Sequence, residues 1–278
     1  MPATIRVGCC SWTSEAWWGR VYPPGIADGE RLRVYARLFD TVEVDSTYYR
    51  SPARAMVDGW RRKTPDDFRF TLKCPRDLLD PKTPVDPEKV DAFLESARAL
   101  GEKLGPILLQ FPPWFRPGRA QPFLSSVLAA LDPSLRYAVE LRDAGWYQGA
   151  TWDGVQRELR DRNVALAWSY LTYLEIPAEV TSDFVYLRFI GDHETVPAEQ
   201  HGEVRVDRAA ETARWAGRVL ARRDDVQYTF VVFNNHYAGF APASVNEFRA
   251  EVGLPPVDFG RFARGARRLE DAVGPDDP

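Results

Sequence analysis

The stretch YAVELRDAGW, Tyr137–Trp146, begins as an apolar strand and ends in Glu140, Arg142 and Asp143, with an aromatic just beyond. A strand buried in a parallel sheet reads as a near-continuous apolar run. Period-2 alternation puts Glu140 and Arg142 on one face and Val139 and Leu141 on the other. A strand that is apolar in its body and ionic at its C-terminal end serves more than packing.

Other segments repeat the pattern. Strand-like runs fall at Ile5–Cys10, Thr41–Thr47, Arg69–Cys74, Ile107–Phe111, Val164–Tyr170, Phe184–Gly191 and Tyr228–Asn235. Apolar residues at helical spacing separate nearly all of them, as in Phe93, Leu94, Ala97, Leu100 and Leu104 of an expected helix Val90–Leu104. Only the connection before Asp183 has room for no more than a turn of helix. Strict β/α alternation means parallel strands joined by right-handed crossovers. Eight such units in 278 residues predict a single (β/α)8 barrel, a fold of roughly 250 residues. The barrel is expected over residues 1–270, with 271–278 a frayed tail.

Composition narrows the function. Net charge is −4, so no global basic field gathers nucleic acid. The three cysteines, Cys9, Cys10 and Cys74, are sparse and odd in number, which suits a reducing cytoplasm. No signal-peptide pattern opens the chain, and no apolar window is long enough for a membrane span. The expected location is cytoplasmic.

Strand C-termini and the loops after them form the active face of such a barrel. There the sequence places Glu43, Asp45 and Thr47, Lys73, Gln110, Glu140 with Arg142 and Asp143, Arg188, and Asn234, Asn235 and His236. Opposite charges could simply neutralise one another across the barrel top, as buried ions must. Acids and bases converging from five strands argue instead for a site.

Within it, Arg142 and Arg188 suit a carboxylate or phosphate, because a guanidinium meets planar oxyanions in fork geometry. Glu140 and Glu43 are the acid–base candidates, and Lys73 a point charge or a proton-transferring amine. Asp45, Gln110, Asn234, Asn235 and His236 would contact substrate. Trp12, Trp17, Trp146 and Tyr237 could stack on a sugar or base ring, or else pack over the mouth. Only three histidines are present, His193, His201 and His236, and none forms an HxH or HxxxH pair. No metal is therefore expected, although Glu43, Asp45 and Glu140 could hold one divalent ion. No dinucleotide fingerprint, P-loop or nucleophile elbow appears, and no cofactor is expected.

VGCCSW (Val7–Trp12), FDTVEVDSTYYRSP (Phe39–Pro52), TPDDFRFTLKCP (Thr64–Pro75), LGPILLQFPP (Leu104–Pro113), VELRDAGW (Val139–Trp146), FVYLRFIG and VVFNNHYAGFAP (Val231–Pro242) together resemble the domain-of-unknown-function 72 family, also called YecE-like. The resemblance spans nearly the whole chain in order. It implies a TIM-type barrel, distantly similar to the xylose isomerase and endonuclease IV type, with no firmly assigned activity. Two departures stand out. Asp45 replaces an Asn common in relatives, and Ile190 replaces the His of their R-x-H-G motif. If that His is catalytic in relatives, His193 or His236 must serve here, or the reaction differs.

The leading expectation is an enzyme acting by metal-independent acid–base chemistry on a small polyhydroxylated or phosphorylated substrate. A hydrolase, isomerase or lyase would fit. Nucleic acid is a less favoured partner, and a non-catalytic ligand sensor a third reading.

Overall fold

Gly8 lies where two strands of a barrel come together. A Cβ there would stand 1.9 Å from the carbonyl oxygen of Thr41, so only glycine lets β1 (Thr4–Cys10) lie against β2 (Thr41–Val44). From that seam, parallel pairing runs through β3 (Arg69–Lys73), β4 (Leu104–Gln110), β5 (Tyr137–Glu140) and β6 (Ala165–Leu171). A two-residue strand, β7 (Leu174–Glu175), folds back antiparallel on the end of β6. The ring then continues through β8 (Phe184–Phe189) and β9 (Tyr228–Phe233) and returns to β1. The computed structural model, which describes residues 2–84 and 86–265, is thus a closed (β/α)8 barrel of eight parallel strands. The expected frayed tail lies outside the described residues.

Helices cover the outside: α1 (Arg31–Ala36), α2 (Arg54–Arg62), α3 (Pro87–Arg98), α4 (Gln121–Ala129), α5 (Gly149–Asp161), α6 (Ala209–Ala221), α7 (Asn235–Ala238) and α8 (Ala241–Glu251). Asp86 caps α3 by accepting from the backbone N–H groups of Glu88 and Lys89, with Pro87 in the first turn. Instead of continuing to Leu104, α3 ends at Arg98. Gly101 takes a left-handed φ of 57°, a short 3-10 turn follows, and Leu104 already opens β4. Between β6 and β8 there is no helix. Thr181 clips the connection along β6, accepting from the N–H of Leu166 at 2.7 Å and donating to the carbonyl of Val164 at 2.8 Å.

The alternation read from the sequence governs packing. Val185, Leu187 and Phe189 pack outward under the helices, whereas Phe184 and Tyr186 join Leu108, Ala138, Ala165, Ala167 and Phe230 in a separate apolar plug inside the barrel. That plug closes the lumen beneath the ionic ends. Small side chains from β5 and β6 leave room for the rings of Phe184, Tyr186 and Phe230, so the barrel is filled rather than hollow.

Two of the strands that end earlier than expected re-aim site residues. β2 stops at Val44, and Asp45–Tyr48 forms a 3-10 turn. Thr47 fastens that turn: its hydroxyl lies 2.8 Å from the carbonyls of Val44 and Lys73, and the N–H of Lys73 reaches it at 3.0 Å. β9 stops at Phe233, where Asn234 caps α7 by accepting from the N–H of His236 at 3.0 Å.

Candidate functional site

β8 carries Arg188 inward just above the apolar plug, where it is 2% exposed. A guanidinium there must be paired, and it is. Its Nε donates to Glu43 Oε2 at 2.8 Å and its Nη2 to Glu43 Oε1 at 2.7 Å, while Nη1 reaches Glu140 Oε2 and, at 3.4 Å, Gln110 Oε1. Tyr186, two residues earlier on the same face, donates to Glu43 Oε2 at 2.7 Å. Its own oxygen meets the Thr71 hydroxyl at 2.8 Å. Ser169 of β6 donates to Glu140 Oε2, and Arg142 Nε to Glu140 Oε1. One network therefore ties β2, β3, β4, β5, β6 and β8 together across the lumen.

The charges decide protonation. Burial pushes the carboxyl of Glu140 up, but Arg142, Arg188 and the Ser169 hydroxyl outweigh it and hold it well below the usual carboxylate range. Glu43 is likewise lowered, burial being overcome by Arg188, Lys73 and the Tyr186 bond. Both are therefore anions at neutral pH, and their oxygens are already engaged. Arg188 is driven up: burial opposes its charge, and Glu140 and Glu43 more than restore it. The expectation that Arg188 grips a ligand is corrected here, since all three nitrogens are committed to protein acceptors.

A second, more open layer lies above. Lys73 Nζ stands 3.2 Å from Asp45 Oδ1 and 4.7 Å from the centre of the Tyr48 ring. The Asp45 side chain keeps 32% of its surface accessible. Burial and the neighbouring Glu43 raise its pKa, against the pull of Lys73. Arg142 is also part-exposed and, among the described residues, commits only its Nε, to Glu140. The carboxylate of Asp143 turns back to accept from the N–H of Gly145 at 2.9 Å.

A sulfur belongs to the same layer. Ligand atoms of Cys10, Glu43 and Asp45 lie within 4.8 Å of one another. As a metal set they fit poorly: Glu43 is forked by Arg188, Asp45 is paired with Lys73, and the Cys10 thiol is driven well up by burial and by Glu43. A cation entering would displace two that are already in place. Glu140, expected to complete an acidic trio, belongs to the deeper layer instead.

The aromatic expectations are revised. Trp17, Trp146 and Tyr237 are fully buried and Trp12 nearly so, so none offers a ring face to a ligand. Trp146 stacks on Phe115 and donates its Nε1 to the Phe115 carbonyl. Trp17 stacks on Tyr35 and donates to Asn235 Oδ1 at 3.2 Å. Asn235 also accepts from the N–H of Ala241, and Tyr237 meets Thr212; both are structural. The exposed rings are others: Trp18, Tyr49, Trp114 and Tyr173, in loops after β1, β2, β4 and β6.

The three histidines, dispersed in sequence, meet in space. The His193 and His236 ring centres are 3.8 Å apart, and those of His201 and His236 4.4 Å. His236 Nδ1 lies 2.7 Å from the Val196 carbonyl, which requires a proton on that nitrogen. Gly191, with φ 69°, lets the loop pass the carbonyl of His236, where a Cβ would come within 2.1 Å.

A family model described as "Protein of unknown function DUF72" matches residues 6–265. The chain belongs to this family. The UPF0759 protein YecE of Escherichia coli (strain K12) is 33% identical over 162 residues, 58% of this chain and 57% of YecE. The UPF0759 protein YunF of Bacillus subtilis (strain 168) is 32% identical over 118 residues, 40% of this chain and 41% of YunF. These matches span about half the length of the curated relatives. A family crystal structure from Thermotoga maritima MSB8 has a TM-score of 0.75 at 26% identity, covering 90% of this chain and 99% of that one. One from Enterococcus faecalis V583 has a TM-score of 0.75 at 24% identity, covering 91% and 96%, a likeness of fold alone. Among the described residues no helix is long and apolar enough to cross a membrane.

Proposed function

We propose that the C-terminal end of the barrel is the active site of an enzyme that moves protons on a small polyhydroxylated, anionic substrate. Asp45 and Lys73 would be the acid–base pair, and the free edge of Arg142 would hold the anionic group. The observation that carries this reading is the Asp45–Lys73 contact of 3.2 Å at the accessible rim, directly above ions that are already satisfied. A carboxyl raised above the ordinary range is better suited to proton transfer than an unshifted one, and burial beside Glu43 raises Asp45. Glu43 and Glu140 act through Arg188 as fixed counter-ions that set the field. Tyr49, Trp114 and Tyr173 supply exposed rings for the apolar faces of a sugar.

The test is a panel of aldoses, ketoses and their phosphates followed by NMR in deuterated buffer. Wild type should exchange or convert at least one of them. Asp45→Asn should abolish turnover while ligand-induced stabilisation persists. A wild type that neither converts nor is stabilised by any member defeats the reading.

One observation favours a second reading. Exposed rings are flanked by cations: Arg31 over Trp18 at 4.9 Å, Arg76 over Tyr49 at 5.8 Å and Lys82 over Trp114 at 5.7 Å. Stacking rings beside positive charge suit single-stranded nucleic acid. Salt-sensitive binding of a labelled oligothymidine, lost on Trp114→Ala, would favour it over the first.

A further inference from the structure

The opposite end of the barrel has a charge pattern of its own. Arg6 enters β1, Arg69 opens β3, and Arg136 immediately precedes β5. With Arg98 from the end of α3, and with Ser134 and Tyr228, they line a cavity of about 350 Å³ at the N-terminal face. That volume falls at the small end of ligand pockets, roughly 300–1,000 Å³. Glu102 is the one acidic residue in the lining.

The partners of these arginines are uneven. Arg98 pairs with Asp132, and Arg136 pairs with Asp183 at 3.2 Å while lying over the Tyr228 ring at 5.0 Å. Arg6 donates only to the backbone carbonyl of Asp67, at 2.6 Å. Arg69 donates to the carbonyls of Asp66 and Phe68, at 2.9 and 3.1 Å. Among the described residues neither forms an ion pair. The Nε atoms of Arg6 and Arg136 are buried without any hydrogen-bond partner. Burial and the neighbouring Arg69 lower the pKa of Arg6, with Asp40, Asp67 and Tyr228 acting the other way.

A purely structural cluster would resolve this differently. Partly buried cations are ordinarily matched by carboxylates, and donors shut away from water by acceptors. Here two guanidinium groups form no ion pair among the described residues, donors are unmatched, and a cavity lies where acceptors would go. We infer that the N-terminal end of the barrel is a second ligand site, for a small polyanion of phosphate chemistry held by Arg6 and Arg69. Two forks without ion-pair partners suit a ligand of at least two negative charges, and a diphosphate turns oxygens toward both at once. A single carboxylate would satisfy only one fork.

Inorganic pyrophosphate is the probe, titrated calorimetrically into the full chain at constant ionic strength. Wild type should bind it at one site. Arg6→Gln with Arg69→Gln should weaken binding by about tenfold or more, a change calorimetry resolves. Lys73→Met, at the other end, should leave affinity unchanged, which separates this site from the proposed active site. If the double variant does not fold, wild type still decides: pyrophosphate should protect Arg6 and Arg69 from phenylglyoxal, read by peptide mass spectrometry. No binding at millimolar pyrophosphate overturns the inference. So does full affinity in the double variant, loss of binding in Lys73→Met, or absence of protection.

Discussion

Arg188 and Glu43 meet as a two-pronged ion pair, 2.8 and 2.7 Å, with neither side chain more than 2% exposed. They are 145 residues apart in sequence and on strands separated around the ring, so the contact spans the lumen rather than a seam. Glu140 closes the trio from β5. Two carboxylates share one guanidinium, and Arg142 supplies the second positive charge.

Removing Arg188 should therefore be severe. Arg188→Met leaves Glu43 buried without its ion-pair partner and Glu140 with Arg142 alone, a loss of about 3–5 kcal/mol. Adding Glu43→Gln and Glu140→Gln should return much of it, because a neutral trio no longer needs a counter-charge. Urea unfolding of the single and triple variants measures both. A single variant within about 1 kcal/mol of wild type would mean that water, not Arg188, solvates the carboxylates.

Acid should dissolve the same network. The folded pKa values of Glu43 and Glu140 lie below normal, so their contribution is fully present above the unfolded value of about 4.3. It is lost as pH falls through the folded values, because the unfolded chain takes up protons first. The melting temperature of Glu140→Gln should lie well below wild type at neutral pH and converge on it in strong acid. A gap that is constant across the range would detach Glu140 from the acid limb.

The histidine cluster has its own window. Burial, then His236 and His193, lower His201 from 6.5 to about 4, while Glu199 opposes them weakly. Burial also lowers His236, with Val196, Asp192 and Glu199 opposing. A depressed folded pKa means that stability is complete above about 6.5 and falls as pH drops toward 4, where the unfolded state binds more protons. His201→Gln should flatten melting temperature against pH between those limits and leave the neutral value nearly unchanged. An unaltered slope would show that the rings separate on protonation.

Much of this was legible in the sequence, for a definite reason. Period-2 alternation placed Tyr186 and Arg188 on one face and Val185, Leu187 and Phe189 on the other, and that division separates lumen from outer core. What alternation cannot show is which charges share a partner across the barrel. Arg188 and Arg142 read alike in sequence, yet one is saturated and the other part-free. The 3-10 turn that aims Asp45 at Lys73 was hidden because Asp45 and Thr47 continue the polar face of TVEV, although Ser46 breaks the apolar one. The N-terminal arginines were invisible too, since each taken singly looks like an ordinary residue beside a strand start. Aromatics gave the weakest guidance, because a loop tryptophan packs inward in one case (Trp146) and stands in solvent in another (Trp114).

That ambiguity is now testable on Trp146 and Trp114. Trp146 is fully buried, stacked on Phe115 at 5.4 Å between ring centres, and its Nε1 donates to the Phe115 carbonyl. Trp114, two residues from the Pro112-Pro113 pair's start, is 56% exposed and touched by Lys82. Trp146→Ala removes a large buried ring and strands a carbonyl, which should cost about 3–5 kcal/mol. Trp146→Phe keeps most of the stacking and loses the donor, so a cost of about 1–3 kcal/mol is expected. Trp114→Ala should alter stability by no more than about 0.5 kcal/mol, the range of surface changes. Its effect belongs in binding: any ligand that stacks at the rim should lose affinity in Trp114→Ala while folding stays intact. Thermal and urea unfolding of the three variants, with tryptophan fluorescence titrations of the rim ligand, separate the two roles. A strongly destabilised Trp114→Ala would make that ring part of the core, and a well-tolerated Trp146→Ala would free its loop to serve the mouth after all.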